Sequence, residues 1–362
     1  MNTNSRQSST DTSCMETESD TADSSTPSST ITSSYTRRAH HAGSWYSSDA
    51  DDLEDELAKF LAAADEDDNG GGSGGGGSRA TPSAVPGGVP NACISPHAGF
   101  RYSGPTAAYS YLALKEALLK NSSLRTIVVL HPSHHVYLDG CAISGASKIE
   151  TPLGNLRVDI NLRKQLLSTN KFSVMERRVD EEEHSGEMQY PFIAKIINDA
   201  RTESGEQYDD VRILPIMVGS INTSKEEAFG RLLSPYLSDV GIFTVISSDF
   251  CHWGRRFSYT PQPSTSDTAI NEIHEYIEYL DKKGMNLIEM QRPGAFVDYL
   301  REYSNTICGR HPISVWLNSL RESVLTHEVR FVKYAQSEKA RSTRDNSVSY
   351  AGAVCRVAMF DG

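Results

Sequence analysis

Several common signatures are missing from this 362-residue chain. Its six cysteines, at positions 14, 93, 141, 251, 308 and 355, form no CxxC pair. That excludes a local zinc-finger framework. In a chain this long, scattered thiols read as reduced cysteines and not as a disulfide scaffold. No run of about 18 apolar residues occurs, so no membrane span is expected. Lysine and arginine form no long basic run and the formal net charge is -12, which excludes nucleic acid as the main partner. The start of the chain lacks the basic-then-apolar order of a secretory signal and is not arginine-rich like a mitochondrial presequence. The expected location is the cytoplasm, with the nucleus also open to it. Aliphatic residues are nearly absent from positions 1–36, a Ser/Thr-rich stretch that cannot bury enough surface to offset its ordering entropy. We read it as a disordered tail. A flexible insertion is expected at about 65–90, where an acidic patch (Asp65 to Asp68) precedes a Gly/Ser run. The remainder of 37–362 is roughly 300 residues, enough for one α/β domain with a sizeable core.

The informative stretch is Asn91 to Gly104, NACISPHAGFRYSG. A short apolar run ends at Ser95-Pro96, and proline cannot donate to a sheet ladder, so a strand should stop there. His97 then stands just past a strand's carboxyl end, where open α/β sheets keep their sites. Ser103-Gly104-Pro105 reads as a turn, followed by a helix from about Thr106 to Lys120. The β-branched run Thr126 to Leu130 repeats the pattern and leads into His131-Pro132-Ser133-His134-His135. If the two strands are parallel neighbours, His97 and His134 approach each other at one sheet edge, as a two-histidine metal site requires. Gly241 to Ile246 is a further strand and ends in Ser247-Ser248-Asp249-Phe250-Cys251-His252. Asp249 and His252 are three apart and share a face if the loop turns helically. The carboxylate could then orient the imidazole or bind metal, and the imidazole could bind metal or act as a base. Cys251 between them reads as packed.

Other segments carry weaker signals. Arg37 to Tyr46 crowds His40, His41, Trp45 and Tyr46 ahead of a helix; His41 is a candidate to line a pocket, and His40 reads as part of a packed arm. The acidic run Asp180 to Glu183 reads as a solvated face. His184 and Glu187 open a helix expected over Ser185 to Asn198, where Ser185 could equally be an ordinary cap. Val211 to Val218 is strand-like but interrupted by Pro215. Helices are expected over Ser224 to Leu237, Thr268 to Leu280, Met285 to Met290, Pro293 to Tyr303 and Pro312 to Leu325. Cys308 lies beside Gly309, Arg310 and His311, ahead of the last of these, a setting that favours the thiolate. A thiolate is a nucleophile and a soft metal ligand. Two strand-like runs, Glu328 to Tyr334 and Val348 to Met359, complete the sheet. From pattern alone the metal hypothesis stands and the reaction is open.

The motifs HAGSWY (41–46), SPHAGFRYSG (95–104), PSHH (132–135), TPLGNLRVD (151–159), EHSGEMQYP (183–191), SSDFCHWG (247–254), DKKGMNLIE (281–289) and NTICGRHPI (305–313) occur in this order, followed by YAQS (334–337) and SVSYAG (347–352). Together they resemble the Memo family, named for mediating receptor-driven cell motility. That resemblance implies a single α/β domain with a central mixed or parallel sheet flanked by helices, similar to class III extradiol dioxygenases. It implies His97 and His134 as imidazole ligands of an iron or copper ion, with Cys308 at the place of the carboxylate ligand. It puts Asp249 and His252 in the same cavity as catalytic candidates. Further pocket candidates are His41, Trp45, Tyr102, His184, Glu187 and Arg310. The functions implied are metal-dependent redox chemistry with signalling to the cytoskeleton, a non-enzymatic adaptor role towards phosphotyrosine-containing receptor peptides or signalling adaptors, and ring cleavage. The thiolate counts against ring cleavage, because it is itself oxidisable. Arg310 or Arg255 could contact a phosphate.

Overall fold

The computed structural model describes residues 35–69, 88–204, 208–263 and 270–357. Most of the expected tail (1–34) and of the Gly-rich insertion (70–87) lies outside the described residues. The strands are β1 (Thr36–Arg37), β2 (Val89–Ser95), β3 (Thr126–Pro132), β4 (Cys141–Ile143), β5 (Lys148–Ile149), β6 (Leu156–Arg157), β7 (Phe172–Val174), β8 (Arg212–Val218), β9 (Ile242–Ser247), β10 (His252–Trp253), β11 (His327–Gln336) and β12 (Ser347–Val357). The helices are α1 (Ala50–Asn69), α2 (Phe100–Lys120), α3 (Ile160–Ser168), α4 (Arg177–Glu182), α5 (His184–Glu187), α6 (Tyr190–Ser204), α7 (Thr223–Leu237), α8 (Ile273–Glu289), α9 (Pro293–Tyr303) and α10 (Arg310–Arg321).

Among the described residues, nine strands form one mixed sheet in the order β10-β12-β2-β9-β3-β8-β4-β7, with β11 on β12. Its centre, β2-β9-β3-β8, is parallel. Each of these strands reads as an apolar run because helices cover both faces; all seven residues of β3 are buried. Burial of such a side chain contributes roughly 1.5–3 kcal/mol. A small sheet, β1-β5-β6, ties Thr36 and Arg37 to Lys148 and Ile149. Thr36 therefore belongs to the folded unit and not to the tail.

The register decides the site. Ser95 of β2 pairs with Ser247 of β9, and Ile246 pairs with Leu130 of β3. The carboxyl ends of β2 and β9 are level, and β3 runs one residue further along the same sheet edge.

Several expectations are corrected. Strands β2 and β3 are not neighbours, since β9 lies between them; strand order depends on pairing, which periodicity does not encode. Ser103 to Pro105 is no turn but the start of α2. A side chain at Gly104 would collide with Phe60 of α1, so this glycine serves helix packing. Helix α1 runs through the acidic patch to Asn69, so the expected insertion starts no earlier than residue 70. Pro215 sits inside a continuous β8, and its carbonyl accepts from Ser144 N–H. The helix expected over Ser185 to Asn198 is two helices, α5 and α6, and Glu183, not Ser185, caps the first. The expected helices at 268–280 and 285–290 are one, α8, which begins at Ile273. Helix α10 begins at Arg310 and stops at Arg321.

Candidate functional site

Three of the four central strands each deliver one polar side chain to the same edge, two residues beyond the last strand residue: His97 after β2, His134 after β3 and Asp249 after β9. The His97 and His134 ring centroids are 5.2 Å apart. Cys308 arrives from the loop before α10, with its Sγ 3.0 Å from His97 Nε2. Gly309 makes that approach possible. A Cβ there would stand 2.5 Å from the Ser247 carbonyl oxygen, and its own N–H donates to Ser248 Oγ at 3.1 Å.

Hydrogen bonds fix which ring nitrogens carry protons. Ser247 Oγ donates to the Ser185 carbonyl (2.7 Å) and accepts from Gln189 Nε2 (2.9 Å). Its single hydrogen is thereby used, so at 2.8 Å from His97 Nδ1 it is the acceptor. His97 thus carries its proton on Nδ1 and turns a bare Nε2 towards the thiol. His134 Nδ1 donates to Glu183 Oε1 at 2.8 Å, and the His134 backbone N–H donates to Glu183 Oε2 at 2.6 Å. His252 Nδ1 faces two carbonyls, of Phe250 (2.9 Å) and Thr306 (3.2 Å), so it too is the donor. Three imidazoles are held from behind at Nδ1, and those of His97 and His134 meet Cys308 in front. That is how metal-binding histidines are oriented.

The electrostatics follow from burial and neighbours. Burial alone would raise the Glu183 carboxyl, but the bond from His134 and the fields of His134, His131 and His184 outweigh it and hold the group well below the carboxylate range. Burial lowers His134, but Cys308 and Glu183 more than compensate and push it up to about 10. His97 is lowered by burial and by the neighbouring His134 and His184. Burial, followed by the field of His134, pushes His184 down to about 3. Burial raises the Cys308 thiol despite His134. This departs from the expected thiolate-favouring surroundings, because burial and the field of Asp249 outweigh the bond from His134.

The other expected residues divide. His184 joins the cluster: its ring is 4.5 Å from those of both His134 and Trp45. Asp249 is buried at the site, but its Oδ1 accepts from His97 N–H at 2.8 Å, and the loop to His252 is not helical. The carboxylate therefore fixes the His97 turn and does not orient His252. Cys251 is fully buried beside Trp253, Ile273 and Ile277. Glu187 lies behind the site as a junction. It accepts from His41 N–H (2.7 Å), Tyr46 Oη (2.8 Å) and Arg37 Nη1 (2.7 Å), with His41 Nδ1 at 3.0 Å. Tyr102 is exposed, stacked under the Arg101 guanidinium at 4.9 Å. Arg310 is half-buried at the start of α10.

The acidic run is the largest correction. Asp180, Glu181 and Glu183 are buried, not solvated. Arg37, fully buried, bonds Asp180 and Glu187 at 3.2 and 2.7 Å. Sequence reasoning missed Glu183, Ser247 and Gln189 as residues that orient the histidines. The one available signal was Glu183 directly preceding His184.

Comparison with known proteins finds relatives of the chain. The family described as "Memo-like protein" matches residues 37–354. The chain is 43% identical over 324 residues to protein memo-1 homolog of Caenorhabditis elegans, covering 88% of this chain and 82% of that one. It is 40% identical to protein MEMO1 of Rattus norvegicus, covering 89% and 97%. A solved structure of an uncharacterized protein from Escherichia coli K12 aligns at 13% identity and a TM-score of 0.44, over 72% of this chain and 99% of that one.

Proposed function

The chain belongs to the Memo family, and from that premise we propose that it binds one iron or copper ion between His97, His134 and Cys308. One observation carries the reading: the Cys308 sulfur stands 3.0 Å from a His97 nitrogen that the Ser247 network leaves unprotonated. The donor chemistry fits, since two imidazoles and a thiolate suit iron(II) or copper and not magnesium or calcium. A bound ion would supply one-electron redox chemistry. The chain's own groups do the rest. Glu183 and Ser247 hold the rings of His134 and His97, Asp249 fixes the turn that carries His97, and His252 presents a free Nε2 that can take or give a proton. Metal content tests this. Protein purified anaerobically without a His-tag should carry or take up close to one ion, and His97→Ala and Cys308→Ala should lose it. A parent protein that takes up neither iron nor copper would overturn the reading.

We also propose that the protein serves as an adaptor for phosphotyrosine-containing receptor peptides in signalling to the cytoskeleton. A groove of about 720 Å³ runs beside Trp45, where Lys59 and Arg101 stand among the acidic Asp52, Asp55 and Glu56. Trp45 joins it to the histidine cluster through its contact with His184. In a fluorescence anisotropy titration, a phosphotyrosine peptide should bind with or without metal, and Arg101→Ala should weaken it. Equal binding of the unphosphorylated peptide would set this role aside.

A further inference from the structure

One residue of the cluster has no task in that donor set. His184 opens α5, with a side chain only 14% exposed. It packs against His134 (rings 4.5 Å apart, 28° between planes), His97 (5.5 Å) and Trp45 (4.5 Å). One ring nitrogen each from His97, His134 and His184 lies within 4.8 Å of the others. Nitrogens bound to one tetrahedral ion stand about 3.4 Å apart at ordinary bond lengths, so inward turns of the three rings close this triad on one ion. The carboxylate behind it is already shared. Glu183 Oε1 is 2.8 Å from His134 Nδ1 and 3.6 Å from His184 Nδ1.

We infer that His184 is a third imidazole ligand, so that the cavity offers two donor sets built on a common pair. His97, His134 and Cys308 form the set for a soft ion such as copper(I). His97, His134 and His184 form the set for a borderline ion such as nickel(II) or copper(II). The thiolate lies on the β9–α10 side of the pair and the third imidazole on the α5 side. Ion softness decides between them, because thiolate selects copper(I) while imidazole suits nickel(II) and copper(II). This inference rests on the metal-binding reading above and specifies ligation within it.

X-ray absorption on the full chain, loaded in turn with nickel(II) and copper(I), tests the assignment without any substitution. Nickel should show three imidazoles and no sulfur, and copper(I) should show sulfur. Nickel bound through sulfur and two imidazoles would overturn the inference. Chelator competition supplies the second arm. His184→Gln should lose nickel affinity by at least about tenfold and keep copper(I) within about twofold, and Cys308→Ser should do the reverse. His184→Gln holding nickel as the parent does, while His97→Ala loses it, would refute His184 as a ligand and leave the metal site standing. His97→Ala matching the parent for both ions would refute the metal site itself. If circular dichroism shows His184→Gln unfolded, the absorption data on the parent decide alone.

Discussion

Replacing Glu183 with glutamine removes one charge and changes almost no volume, so it isolates what this carboxylate does. In the protein its Oε1 faces His134 Nδ1 and Ser185 N–H at 2.8 and 3.0 Å, and its Oε2 faces His134 N–H at 2.6 Å. All three partners donate. An amide keeps one acceptor and puts an NH₂ group at the other position, so in either orientation a buried donor meets a donor. An unmade buried bond costs about 1–3 kcal/mol, and a bond to a charged group contributes about 1.5–3 kcal/mol. These terms overlap, and the expected loss for Glu183→Gln is about 2–4 kcal/mol. The His134 ring also loses the partner that fixes its orientation, which should cost about 10–100-fold in metal affinity. Urea denaturation of metal-free protein at pH 7 reads the first effect as a lower midpoint at unchanged slope. Chelator competition reads the second. A variant within about 0.5 kcal/mol of the parent and equal to it in metal affinity would refute the view that Glu183 holds the site together.

Gly309→Ala should push the Cys308 loop off the end of β9, since its Cβ would stand 2.5 Å from the Ser247 carbonyl oxygen; we expect a loss of about 1–3 kcal/mol and weaker copper(I) binding, measured by the same two assays. Arg37→Met should cost about 3–5 kcal/mol in urea unfolding, because Asp180 and Glu187 stay buried without their guanidinium; a loss under about 1 kcal/mol would count against the junction. Burial raises Glu187, but His41 and Arg37 more than reverse this and bring it down to about 2 from an ordinary 4.5. With the folded value depressed, its contribution is present above pH 4.5 and is lost as pH falls through about 2, on the order of 3 kcal/mol; unfolding followed from pH 5 to 2 should show this fall in the parent and a shallower one in Glu187→Gln.

The sequence made the strand ends readable and left their arrangement hidden. His97, His134 and Asp249 stood out because each follows an apolar run closed by a proline or serines, a signal local to a few residues. That β9 lies between β2 and β3 is a property of pairing across more than a hundred residues, and no periodicity carries it. The run 180–183 misled for a related reason. Four consecutive acids look solvated until a buried arginine from position 37 and a histidine from position 134 are brought against them. Helix α8 was read as two pieces because Lys282, Lys283 and Gly284 interrupt its apolar stripe; in the fold, Gly284 is where Tyr299 of α9 packs closely.

The shared strand edge has a consequence for how such a cavity can change. His97, His134 and Asp249 each stand the same two residues beyond their strands, so the spacing of the three positions is set by a count of peptide units on a stiff sheet. At positions 97 and 134 the side chain can vary without moving the backbone, whereas Asp249 also fixes the His97 turn through its carboxylate. Inserting or deleting one residue in any of the three turns would swing its side chain out of the cavity. The edge works as a socket of fixed pitch: its chemistry can be rewritten by point substitution, whereas its turn lengths cannot be altered without dismantling it.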